Sequence, residues 1–286
     1  MAFWITILLS STIVAIVTLG LFLQIRSGQL NVGMAVFFGI GGYATSIFCL
    51  RFGWHPAPAI LAAVVVGMIF GGVFSAITLN LHHWFFAVST LTLSVAAVSG
   101  IGKIDYIGGA LGLVGVPIIN AAWPIVLSLL VAIGVAVWVD RSRLGMLVRA
   151  TGDDQVLAQV FGVRVKQLRV AIFALGSGLA ALGGALQAHR FGVFQPSDLG
   201  FHNSLLFFVV VIVGGKSHVA GPLLGTIFLF VLPELIHITA ETELLVFGGL
   251  MVLVAVAMPA GLTGAMQQLL QRVSRRHQAL ADNPSA

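Results

Sequence analysis

Charged side chains are scarce in this chain: Asp, Glu, Lys and Arg together make up 8% of its 286 residues, where a soluble domain carries about a quarter. So few charges cannot cover the water-facing surface of a globule this long. A soluble enzyme is thereby excluded. The 59% hydrophobic content excludes a disordered chain, because chains that stay unfolded are poor in apolar residues. Cysteine is nearly missing too. Cys49 stands alone, so an intramolecular disulfide and a cysteine-based metal site are both ruled out. Acids number nine, and Glu234, beside Pro233, is the one that falls inside an apolar run, near its end. That shortage argues against proton coupling, which relies on carboxylates within the bilayer.

What the chain does have is glycine, 34 residues of it, and a mean hydropathy of +1.08. Both suit membrane helices that pack closely. The net charge of +5 could mean nucleic acid, but the basic residues form no long run, and membrane topology explains them more simply. Spans of about 20 apolar residues are expected at 3–24, 29–50, 57–81, 84–101, 120–139, 170–189, 201–214, 219–237 and 244–262. The first lacks a basic leader and is too long for a signal sequence, so it reads as an uncleaved span. With the N-terminus outside, eleven of the fourteen Lys and Arg residues fall inside, and only Arg51, Lys103 and Arg190 fall outside. The positive-inside rule therefore places the 140–169 loop and the C-terminus in the cytoplasm. The expected fold is an all-α polytopic transmembrane bundle, of about eight to ten spans by length. Residues 1–265 form one membrane domain and 266–286 a basic cytoplasmic tail.

The loop 140–169 is the longest polar segment. Thr151 followed by Asp154 resembles a capping box, Asp153 adds charge to a first turn, and Gly162 suits a helix-ending position. Val156, Leu157, Val160 and Phe161 make one apolar face. The pattern predicts a helix over 152–162, about ten residues long and too short to stand alone. Such a helix either rests on lipid headgroups or docks into a groove of a cytoplasmic partner.

Several motifs tempt and fail. Gly214-Gly215-Lys216-Ser217 ends like a phosphate-binding loop, but Val210 stands where its first glycine is needed, and a strand should precede it. Gly39-Ile-Gly41 and Gly176-Ser-Gly178 fit a loose dinucleotide pattern inside apolar spans, where packing is the better reading. Gly67, Gly71 and Ser75 repeat every four residues, as do Gly176, Ala180, Gly184 and Ala188, which marks close helix seams. His82 and His83 are adjacent and have no Glu partner, so no metal site is expected. For a substrate path, the glycine-interrupted stretch Gly39, Gly41 and Gly42 and the short fourth span, with Thr90 and Thr92, suggest broken helices lining a cavity.

Here a family comes into view. Asp140-Arg-Ser-Arg-Leu-Gly-Met-Leu-Val-Arg-Ala-Thr-Gly-Asp-Asp-Gln, with Ala158 and Phe161-Gly162-Val163, resembles the cytoplasmic loop of ABC-transporter permeases for branched-chain amino acids, the LivH/LivM type. Ordered matches extend through Gly28-Gln-Leu-Asn-Val-Gly, Phe38-Gly-Ile-Gly-Gly-Tyr-Ala, Trp84-Phe-Phe-Ala-Val-Ser-Thr-Leu, Gly108-Gly109, Ala171-Ile-Phe-Ala-Leu-Gly-Ser-Gly, Pro196-Ser197 and Gly221-Pro222-Leu-Leu-Gly225. The resemblance implies the membrane subunit of an ATP-driven importer of amino acids or a related amide in a bacterial inner membrane. It implies a cytoplasmic ATPase that binds ATP and Mg in place of any cofactor here. It further implies a second permease, a periplasmic binding protein and a small-molecule substrate, with no nucleic acid and no chemistry in this chain. Asp153, Asp154, Gln155, Ala158 and Gly162 match the family's coupling loop. Gly152, Gln159 and Lys216-Ser217-His218 depart from the usual pattern. The rival from another class is a self-sufficient secondary transporter or channel for a small polar solute, which would not need the loop helix.

Overall fold

A computed structural model describes residues 2–81, 83–236, 248, 249, 261, 263 and 264. Among the described residues, six helices are long and apolar enough to cross a membrane. They are Ala2–Arg26 (α1), Met34–Phe52 (α2), Pro56–Thr78 (α3), His83–Ile101 (α4), Trp123–Arg141 (α5) and Val165–Phe191 (α8). Between α5 and α8 lie two short helices, Arg143–Asp153 (α6) and Gln155–Val160 (α7). Two further apolar helices follow, Phe201–Gly214 (α9) and Ala220–Ile236 (α10). The bundle is all-α, as expected. The predicted ninth span, 244–262, and the tail 266–286 lie outside the described residues, save Gly248, Gly249 and Gly261.

The chain divides into two compact units, Met1–Phe208 and Val209–Ala286. In the first, α8 is the central post, packed against α1, α2 and α3. Between Gly176 and Ala188 its buried residues are mostly small, with Gly176, Ser177, Ala180, Ala181, Gly184, Ala185 and Ala188 among them and Leu179 and Leu186 the exceptions. The α3 helix answers with Ala59, Ala63, Gly67, Gly71 and Ser75, every fourth residue buried, while Leu61, Ile69, Val73 and Ile77 point away, 54–76% exposed. Lipid tails are as apolar as leucine, so burying apolar surface drives little helix pairing; close approach supplies it through dispersion contacts. The seams are tight enough to forbid a side chain. A Cβ on Gly184 would collide with the Phe38 carbonyl, and one on Gly41 with the Ala181 backbone. Where bulk is used, it interlocks. The Phe173 ring meets Phe37 at 5.2 Å and Phe86 at 5.6 Å, both edge-on, the geometry aromatic quadrupoles favour.

The second predicted span was expected from residue 29, but α2 begins at Met34. The reason is a non-helical stretch, 27–33, set among the helices. Its backbone polar groups need partners that apolar surroundings cannot give; carbonyls of the α1 end and of Gln29 take the amides of residues 27–29 and 31, and side chains supply others. The amides of Val32 and Gly33 donate to Thr90 Oγ1 (3.1 Å) and Asn31 Oδ1 (2.9 Å), and that of Ala35 to Ser204 Oγ (3.3 Å). Asn31 donates in turn to Gln24 Oε1 (2.8 Å), and Gln24 to the Phe173 carbonyl (3.0 Å). Gln29 reaches Ser75 Oγ at 2.9 Å. Gln24, Gln29, Asn31, Ser75 and Ser204 are 0–1% exposed.

At the end of the bundle where α2 stops, 3₁₀ turns at Asp105–Ile107, Gly109–Leu111 and Pro196–Leu199 surround a two-residue antiparallel ladder. Leu113–Val114 (β1) pairs there with Val193–Phe194 (β2). In the second unit, α9 and α10 meet through glycine, since a Cβ on Gly225 would strike the Val210 carbonyl. The Gly214–Ser217 segment joins these two helices.

Candidate coupling site and substrate path

The polar loop folds as two helices where one was predicted. α6 runs to Asp153 and stops because Asp154 adopts an extended backbone, φ −149° and ψ 108°. Asp154, and not Thr151, is the capping residue. Its Oδ1 accepts the Val156 and Leu157 amides at 2.9 and 3.0 Å, two donors that a helix start leaves orphaned. Thr151 fails as a cap because its hydroxyl is turned back into α6, donating to the Leu147 carbonyl at 2.8 Å. The other end of α7 closes as read from the sequence. Gly162 takes φ +80° and donates to Gln159 (2.9 Å), while Val163 donates to Ala158 (3.1 Å), the pair of bonds that ends a helix through a left-handed residue.

This capping leaves a six-residue helix held by its ends. The apolar face is outward: Val156, Leu157, Val160 and Phe161 are 72, 53, 76 and 78% exposed, whereas Ala158 is buried. The inner side is fastened to the bundle. Arg169 at the start of α8 donates to Gln155 Oε1 at 3.2 Å. The α6 helix is tied to α1 and α5 by Asp140, which accepts Arg26 (3.2 Å) and Arg149 (3.4 Å). Gly152 departs from the family's usual charged residue, and its position explains that: a Cβ there would collide with the Arg26 carbonyl. Of the five residues matched to the coupling loop, Asp154, Gln155, Ala158 and Gly162 thus shape or anchor α7, and Asp153 is exposed at its entrance.

The residues named for a substrate path do not gather around one space. Gly39 is filled by Leu199, Gly41 by Ala181 and Gly42 by the Phe194 ring, and α2 runs unbroken across all three. Thr90 is buried and caps the 27–33 stretch through Val32. Thr92, 200° further around α4 by helix geometry, is exposed, beside Phe74, Phe85, Val88 and Ser89 in an open groove. The break in helical backbone falls at 27–33, where no apolar gap marked it. Gly28-Gln-Leu-Asn-Val-Gly was the available signal, a polar run between two spans. Among the described residues, no group of three His, Cys, Asp or Glu could hold a metal ion.

Residues 3–255 match the family described as branched-chain amino acid transport system / permease component. The chain belongs to this family. Its similarity to LivH of Salmonella typhimurium, a high-affinity branched-chain amino acid transport system permease protein, is 26% identity over 141 residues, 49% of this chain and 46% of that one. The chain thus spans about half the length of the LivH-type relatives it matches. Two others align over most of both chains. AlsC, the D-allose transport system permease protein of Escherichia coli, is 26% identical over 86% of this chain and 80% of its own. LivM of Methanocaldococcus jannaschii, a probable branched-chain amino acid transport permease protein, is 24% identical over 84% and 83%. No solved structure matches the chain. Membership agrees with six apolar helices of spanning length: the chain is a multi-pass membrane protein. Within this family member, the loop between α5 and α8 is the best-formed candidate site.

Proposed function

We propose that the chain is the membrane-spanning subunit of an ABC importer for branched-chain or other amino acids, or a related amide, and that α7 is where ATP hydrolysis is received. The observation that carries this is α7's outward apolar face, four large side chains 53–78% exposed on a helix capped at both ends. Burying such a side chain stabilises an interface by about 1.5–3 kcal/mol, and helices with this pattern dock in grooves. The ATPase, with its ATP and Mg, is a separate cytoplasmic subunit. A second homologous permease and a periplasmic binding protein complete the transporter in a bacterial inner membrane. In this reading the 140–169 loop and the C-terminus are cytoplasmic, and lipid surrounds the rest.

The mechanics follow from what α7 is fastened to. A displacement of α7 is passed to α8 through Gln155 and Arg169. α8 packs on α1, α2 and α3 along small residues whose smooth faces let helices slide. The test is co-purification of the chain with its ATPase and second permease. Val160→Asp with Phe161→Asp should cut ATPase recovery at least about tenfold, since it puts charge where an apolar anchor was, and leave the thermal unfolding of the isolated chain unchanged. Solute uptake by the lone chain, insensitive to ATP depletion, would instead establish the secondary transporter.

A further inference from the structure

We propose that the chain carries a second small-molecule site, on the face that holds α7: a pocket that binds an aliphatic α-amino acid in its zwitterionic form. The cavity, about 410 Å³, lies between the turn after α3 and the break between α6 and α7. That volume falls within the range of about 300–1,000 Å³ usual for ligand pockets. One side of it is cationic. Arg169 is 5% exposed, its Nη1 meets only the neutral Gln155 amide oxygen, and its Nε has no hydrogen-bond partner. No carboxylate pairs with it among the described residues. A buried guanidinium without a counter-charge is costly, and its planar fork fits a carboxylate.

The lining also contains the complement. Asp154 is committed to the α7 amides, whereas Asp153 is exposed, feels the Arg26 guanidinium only at longer range and makes no direct ion pair among the described residues, so its carboxylate can receive an ammonium. Leu79, Leu81 and Val156 supply apolar surface, and Asn80 an amide. Carboxylate receptor, ammonium receptor and aliphatic wall together define the ligand class. Because a carboxylate on Arg169 would compete with Gln155, occupancy would alter how α7 is held. The physiological role rests on the importer reading: a product accumulating in the cytoplasm would restrain its own entry. The binding itself does not.

Equilibrium dialysis of radiolabelled L-leucine against the full chain in lipid nanodiscs tests this. Saturable binding is expected, weakened at least about tenfold by Arg169→Gln and several-fold by Asp153→Asn, each loss being that of a charge-assisted bond. Neither 4-methylpentanoate, which lacks the amine, nor isopentylamine, which lacks the carboxylate, should compete at ten times the leucine concentration. If Arg169→Gln fails to fold, Arg169→Lys and the exposed Asp153→Asn decide. Absence of binding, or binding indifferent to both positions, overturns the site. Equal competition by 4-methylpentanoate overturns the zwitterion assignment. Val160→Asp with Phe161→Asp should leave leucine binding intact, so loss of the ATPase partner and loss of this pocket are separable.

Discussion

Helices α3 and α7 both leave large apolar side chains uncovered, and they do so for different reasons. In α3, Leu61, Ile69 and Ile77 are 61–76% exposed along a 23-residue helix with no charge in it. A bilayer covers such a surface completely. In α7 the exposed face is as large per residue, yet the helix is six residues long and bracketed by Asp153, Asp154 and Arg164. Placing those charges in hydrocarbon would cost about 2.5–3.5 kcal/mol each at the bilayer centre. Exposure alone therefore says little in a membrane protein. In the docking role proposed for α7, what sets its face apart from a lipid face is that polar groups frame it and that the helix is pinned from behind.

Three substitutions sharpen that comparison. The largest effect is expected where neither lipid nor partner is involved. Gly184→Leu, forced against the Phe38 backbone, should destabilise the chain by about 3 kcal/mol and sharply lower the yield of monodisperse protein. A normal melt for this variant would show that α8 has room to move away. Next is Asp154→Ala, which removes the α7 cap. A loss of about 1 kcal/mol of local helix stability is expected, seen as faster amide exchange at Val156 and Leu157 and weaker recovery of the ATPase, with the global melt barely changed. Smallest is Ile77→Ala on the outer face of α3. Both unfolding and ATPase recovery should stay within about 0.5 kcal/mol of the parent, because lipid refills the space and no protein neighbour is lost. An Ile77 effect as large as that of the α7 cap would mean that this part of α3 is itself an interface.

Much of this arrangement was legible in the sequence. The span 201–214 was read with the bounds α9 has, and 84–101 within a residue of α4, since apolar length and flanking charge are local signals. The stripe Gly67–Gly71–Ser75 announced the face α3 turns to α8, and Gly176 and Gly184 the close approach of α8 to α1 and α2, for the same reason: a helix face is a periodicity. Gly162 was placed correctly because a left-handed turn has a residue preference of its own. The cap was harder. Thr151 and Asp154 both have the chemistry for it, and the choice depends on where Thr151 is buried, which is a property of packing. For the stretch 27–33 the polar run from Gly28 to Gly33 was legible, but the partners that hold it were not. Thr90, its partner through Val32, and Ser204, the partner of Ala35 in the first turn of α2, lie 58 and 169 residues from the amides they satisfy, and no local pattern shows such pairings.

By itself, then, the sequence determined that this protein lives in a bilayer, that six of its apolar runs form helices long enough to cross it, which family it joins and which loop mixes polar and apolar residues. Those properties follow from composition and short-range periodicity, because transfer into lipid is decided segment by segment. Only the tertiary structure decided that Gly39, Gly41 and Gly42 are packing surfaces, that α7 turns its apolar side outward and Ala158 inward, and that Arg169, buried with no ion pair among the described residues, lines the same cavity as Asp153. Each of these depends on which distant backbone comes within a few ångströms, and that is settled when the helices pack.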